Sequence, residues 1–144
     1  MTHLGKAIAI AAQAHEHQVD KAGAPYILHP LRVMLQMQTE EEQIVAVLHD
    51  VLEDADGWTV ERLRSHGFSE GVLGALECVT KRDGEDYGAF VARAASNPVA
   101  LKVKLADIKV NMDMTRLATL SEKDLARLQK YHRYYCELKA LISQ

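Results

Sequence analysis

The sequence is poor in cysteine and proline, carries no excess of positive charge, and has no long apolar run. Its two cysteines, Cys78 and Cys136, lie far apart and form no CxxC unit. That excludes a paired-thiol motif and fits inert thiols in a reducing compartment, with a single disulfide left open. Only Pro25, Pro30 and Pro98 interrupt the chain, and β-branched alternation is scarce, so helical spacing dominates. No apolar stretch approaches a membrane span, and the first residues lack the layout of a secretory signal. The expectation is a cytoplasmic protein with no membrane partner. A net charge of -3 gives no basic footprint for nucleic acid. What is present is ordinary for a globular domain: 144 residues, 48% hydrophobic and 26% charged, enough for one domain with a real core.

The pattern predicts an all-α, single-domain bundle of seven or eight helices. The first runs from about Leu4 to Gln18. Residues 20–25 form a loop by their Gly and Pro. A short helix starts at Pro30, which pushes His29 out of helical geometry to the helix entrance. Thr39 with Glu42 is a capping box, and its helix continues past His49 and Asp50 to Leu52. Further helices are expected at about Val60–His66, Glu70–Thr80, Asp86–Ala95, Pro98–Leu117 and Glu122–Ile142, with Thr59, Ser69 and Ser121 as caps.

One segment carries chemistry: Leu48-His49-Asp50-Val51-Leu52-Glu53-Asp54. In a continuous helix His49 lies over Glu53, and Asp50 over Asp54. Three carboxylates so close repel one another unless a cation or proton compensates. The plain alternative is a helix-surface pair followed by a solvated helix end. Two further residues weigh against it. His29 stands among apolar neighbours in Tyr26-Ile27-Leu28-His29-Pro30, and Asp107 interrupts the apolar Val103–Ile108 stretch. A mid-helix Asp has poor propensity and is costly to bury unpaired. Two imidazoles and two carboxylates make a mixed nitrogen and oxygen set, suited to a divalent first-row metal with open positions. Lys104 and Asn111 share a helix face with Asp107, and either suit a phosphate-bearing substrate or form a plain Lys104–Asp107 pair beside an exposed amide.

The order His, His-Asp, Asp resembles the HD superfamily of metal-dependent phosphohydrolases. Three blocks resemble more narrowly the hydrolase domain of the RelA/SpoT type and the stand-alone small alarmone hydrolases. They are Ala14-His15-Glu16-His17-Gln18 running into residues 21–30, then Leu48–Asp54, then Val103–Asp107 with Asn111. The resemblance implies that His29, His49, Asp50 and Asp107 bind one divalent metal, typically Mn2+. It implies that Glu53 and Asp54 activate or position the attacking water. It further implies a nucleotide substrate, guanosine tetraphosphate or pentaphosphate (ppGpp or pppGpp), losing its 3′-pyrophosphate. Lys21 and Lys104 are then candidates for neutralising phosphate oxygens, and Asn111 for holding sugar or phosphate.

The family commonly has a basic residue before Lys21, where this chain has Asp20. Its long members carry Arg and His where Ile108 and Val110 stand. Two other readings therefore stay open: an HD phosphohydrolase acting on another nucleotide such as NADPH, and a non-catalytic nucleotide-binding module. From a length of 144 residues no synthetase domain is expected, and a homo-oligomer stays open. Trp58 is expected to pack a loop, and Tyr131, Tyr134 and Tyr135 to pack the core. His3, His17, His66 and His132 are expected at the surface, and His15 in a structural role.

Overall fold

Helix starts in this chain are written by small polar side chains. In the computed structural model, which describes residues 1–142, Thr2 caps α1 (His3–Ala14) by accepting from the Gly5 N–H. Thr39 caps α3 (Glu40–Leu48) and Glu42 reaches back to complete the expected capping box. Between them lies α2 (Leu28–Leu35). A single turn, α4 (Val51–Asp54), follows α3. Thr59 caps α5 (Val60–Ser65) and Ser69 caps α6 (Glu70–Val79). Asp86 caps α7 (Tyr87–Ala95), and Asn97 caps α8 (Pro98–Asn111), with Pro98 at the first position, where its missing N–H costs nothing. The long α9 (Glu122–Ile142) closes the order. Among the described residues there is no strand, only an isolated bridge between Val19 and Pro25. No described helix is long and apolar enough to cross a membrane.

Two clusters organise the bundle. The larger one joins α1, α2, α3, α6 and α8 around Val33, Val45, Leu48, Leu73, Leu76 and Val103. The smaller one joins α7, α8 and α9 around Val91, Ile108 and Leu138, with tyrosines packed against it. α8 belongs to both, which explains why it is apolar on more than one side. It carries Lys104 and Asp107 into this doubly covered position.

Three boundaries differ from expectation. α2 begins at Leu28, so His29 lies inside its first turn. Pro30 is accommodated because first-turn N–H groups have no intrahelical partner, and the turn is led in by His29 N–H donating to Tyr26 O at 2.9 Å. α1 stops at Ala14, with His15 to His17 in a turn. α8 stops at Asn111 rather than near Leu117. Asp113 draws the chain away by accepting from the Thr115 N–H and hydroxyl, a local alternative to helix.

Candidate metal centre

The expected single helix through His49 is two pieces. His49 N–H donates to Ala46 O, three residues back, at 3.4 Å, while Asp54 N–H returns to Asp50 O at 2.9 Å. Asp50, at φ -101° and ψ -4°, is the hinge between α3 and α4. The tightened turn lets two consecutive side chains, His49 and Asp50, line one cleft of about 180 Å³. α2 contributes His29 to it and α8 contributes Asp107.

The four side chains converge. His29 Nε2 is 2.8 Å from Asp107 Oδ1 and 3.9 Å from Asp50 Oδ2. His49 Nε2 is 3.1 Å from Asp50 Oδ2 and 3.4 Å from Asp107 Oδ1. One atom each from His29, His49 and Asp50 falls within 4.8 Å of the other two, a group able to hold a metal ion. Asp107 stands outside that tightest group but touches both imidazoles. The other nitrogen of His49, Nδ1, lies 2.5 Å from Ala46 O. It donates there, which turns Nε2 toward the cleft as the atom that a metal would take in place of a proton. That Nε2 is buried and makes no hydrogen bond, an unusual state for an interior polar atom. A divalent cation would satisfy it, and the mixed imidazole and carboxylate donors fit such an ion.

The electrostatics agree. Burial opposes a charged His49 most strongly, yet Asp50 and Asp107 outweigh it and push the imidazole well above its ordinary range. Burial would raise both carboxylates. His49 instead holds Asp50 down, and Lys104, then His29 and His49, hold Asp107 well down. Without a metal, His49 thus draws a proton toward the two acids, the place a divalent cation would take.

Surrounding groups fix the two carboxylates. The Tyr26 hydroxyl donates to Asp50 Oδ2 at 2.5 Å. Lys104 Nζ donates to Asp107 Oδ2 at 3.0 Å, and Asn111 Nδ2 to Asp107 Oδ1 at 3.2 Å. The shared face of Lys104, Asp107 and Asn111 is therefore an anchored carboxylate. Glu53 lines the cleft with Lys104 and Asn111. Surrounding protein and then Asp50 raise its pKa. Asp54 is not in the lining, and the same two causes, joined by Glu53, bring its pKa to about 6. Lys21 is exposed and lies outside the cleft, in an adjoining cavity.

Besides Tyr131, sequence reasoning missed five lining residues: Tyr26, Val79, Lys81, Tyr87 and Phe90. Tyr26 stands three positions before His29, the one signal available. The Tyr87 hydroxyl is buried without a partner. Tyr131 packs against the smaller cluster as expected, and also lines the cleft. Trp58 packs under Arg62, whose guanidinium carbon is 3.7 Å from the ring centre. His66 is half-buried against Trp58, not at the surface, because its ring extends that stack. His15 is buried and paired with Gln18 at 2.7 Å, a structural role.

Comparison with known proteins narrows the class. A solved structure described as a metazoan ortholog of SpoT that hydrolyzes ppGpp has the same fold, with a TM-score of 0.78. The match covers 96% of this chain and 85% of that one at 21% identity. The guanosine-3′,5′-bis(diphosphate) 3′-pyrophosphohydrolase of Aquifex aeolicus is 35% identical over 114 residues, 71% of this chain and 16% of the relative. The probable GTP pyrophosphokinase of Mycobacterium leprae is 34% identical over 124 residues, 77% of this chain and 16% of its own length. No protein-family model matches. The chain thus spans about a sixth of the length of these curated relatives.

The helical bundle shares the fold of that solved structure. Sequence and fold together resemble the hydrolase domain of the RelA/SpoT type.

Proposed function

We propose that this chain is a cytoplasmic, divalent-metal-dependent hydrolase that removes the 3′-pyrophosphate of guanosine tetraphosphate or pentaphosphate, with Mn2+ as its metal. The observation that carries this reading is the buried His49 Nε2, which makes no hydrogen bond yet faces the carboxylates of Asp50 and Asp107 beside His29. The names of the bacterial relatives supply the substrate class.

His29, His49, Asp50 and Asp107 would hold the metal. A divalent ion bound there lowers the pKa of a water and polarises a phosphoryl oxygen. The protein's own contribution is position and proton handling. Tyr26 orients the Asp50 carboxylate, and Lys104 with Asn111 orients that of Asp107. Asp54, with a pKa near 6, is ionised at neutral pH yet basic enough to accept a proton from water. Glu53 lines the cleft itself and is the nearer partner for that water. Lys21, across the shared wall, meets phosphate oxygens that extend beyond the cleft.

A hydrolysis panel with added Mn2+ tests the reading. It compares guanosine tetraphosphate, NADPH and simple nucleoside monophosphates. Pyrophosphate release from the first alone is expected. Turnover of NADPH instead, or of nothing, overturns the proposal. Asp107→Asn provides the control on the metal. A folded variant that keeps full metal content and activity would show the ligand assignment to be wrong.

A further inference from the structure

Beside the metal cleft lies a second cavity of about 350 Å³, between the loop at residues 20–25 and the connection from α8 to α9. Tyr26, Asn111 and Tyr131 line both spaces, so one ligand can reach from the first into the second. A nucleotide is of that size. Lys21, Arg116 and Arg127 bring three cationic side chains to the second cavity, against the carboxylates of Asp20 and Asp113.

Both carboxylates are already engaged. Asp113 accepts from its own loop at Thr115. Asp20 Oδ1 accepts from the N–H groups of Ala22 and Ala24, at 2.9 and 3.0 Å, and Oδ2 accepts from Arg116 Nη1. Asp20 thereby ties two loops 96 residues apart. Arg116 commits one of its five N–H donors to that bond and remains one-third exposed. A guanidinium so held has donors left over, in the planar arrangement that matches phosphate.

We propose that Arg116, anchored by Asp20, grips the 5′-phosphate end of a nucleotide whose 3′ end lies in the metal cleft. The proposal rests on the hydrolase reading above. It also explains the acid before Lys21. The resembling family commonly has a basic side chain there, whereas here the positive charge arrives from the α8–α9 connection and the acid holds it. Arg127, fixed by Asp124 at 2.8 Å, is a neighbouring cation on the same cavity.

The test compares guanosine 5′-diphosphate 3′-diphosphate with guanosine 3′-diphosphate, which lacks the 5′ group. For Arg116→Ala, KM for the first is expected to rise on the order of ten- to a hundredfold, the loss of charge-assisted hydrogen bonds, while kcat changes little. KM for the second stays unchanged. Arg116→Lys recovers part of the loss. Asp20→Asn gives a smaller rise with the same substrate dependence, and adds nothing in the Arg116→Ala background. An equal effect on both substrates, or none on either, overturns the proposal and leaves the hydrolase reading intact. If the wild type releases pyrophosphate from neither compound, that reading fails. Calorimetric binding of the two nucleotides to the wild type and Arg116→Ala then decides Arg116 by the same selectivity.

Discussion

Tyr26 shows how a residue given no role in its own motif governs a side chain in another. Its hydroxyl hydrogen bond fixes the direction of the Asp50 carboxylate. Groups that orient metal-binding side chains typically matter about 10–100-fold in metal affinity or activity. Tyr26→Phe is therefore expected to weaken Mn2+ binding by about tenfold, measured by metal titration, with little change in folding. Asp54 raises a different issue. Its folded pKa of about 6 exceeds the ordinary aspartate value near 4, so the folded state prefers it protonated. Its ionisation leaves stability untouched below pH ~4 and erodes it as pH rises through about 6. Asp54→Asn is expected to raise the melting temperature of the chelator-treated protein at pH 7.5 more than at pH 5. An equal change at both pH values would contradict that. On the proposed hydrolase reading, in which Asp54 accepts a proton, the same substitution should also lower turnover. These two carboxylates were legible in the sequence as a crowded acidic group. Tyr26 was not, because a phenol three residues from a histidine has no spacing signature until a turn brings it onto Asp50.

At the scale of the element, α3 combines the clearest sequence signal with the least visible break. Its start was legible because a capping box is a local hydrogen-bond pattern. Glu42 Oε1 accepts from Gln38 and Thr39 N–H groups, and Oε2 from Lys102 at 2.9 Å. Glu42→Ala is expected to destabilise the protein by about 1–2 kcal/mol at pH 7, mostly through the cap, since the half-exposed lysine contributes little. Burial would raise the Glu42 pKa, but its hydrogen bonds from Lys102, Thr39 and Gln38 lower it overall. The ionised form thus stabilises the fold above the ordinary glutamate range near 4.5, and this is lost as pH falls below it. Urea unfolding should show the gap between wild type and variant closing in acid. The end of α3 was not legible. The apolar run Ile44–Leu52 reads as one helix, and the shift to an i→i+3 bond at His49 is a tertiary choice that periodicity does not encode. His49 and Glu53 were accordingly expected to stack; the structure instead gives both to one cleft across the hinge at Asp50. The premature end of α8 has a readable cause in retrospect, since Asp113 two residues before Thr115 is a turn signal.

For the molecule as a whole, fold class and candidate ligands followed from helical spacing and from four odd residues in apolar surroundings. The sharing of α8 between two cores did not, since it depends on where α9 comes to rest. The centre joins α2, α3 and α8, so a bound ion ties together elements from three parts of the chain. At a hundredfold excess over Kd, ligand binding adds about 2.7 kcal/mol. Mn2+ should therefore raise the melting temperature by on the order of 5–10 °C for a domain of this size, reversibly on chelation. His49→Ala should abolish that shift.

α9 has a different standing. It runs for 21 residues yet buries only Leu138 among them, while lending Arg127 and Tyr131 to the walls of the two cavities. Few apolar anchors mean a low free energy of local opening. This wall is thus the part of the bundle expected to detach first and exchange its amides fastest. Every ligand that settles against it gives up some binding energy to hold it shut, so affinity can be tuned from the outer face of α9 without altering a single group in the cleft.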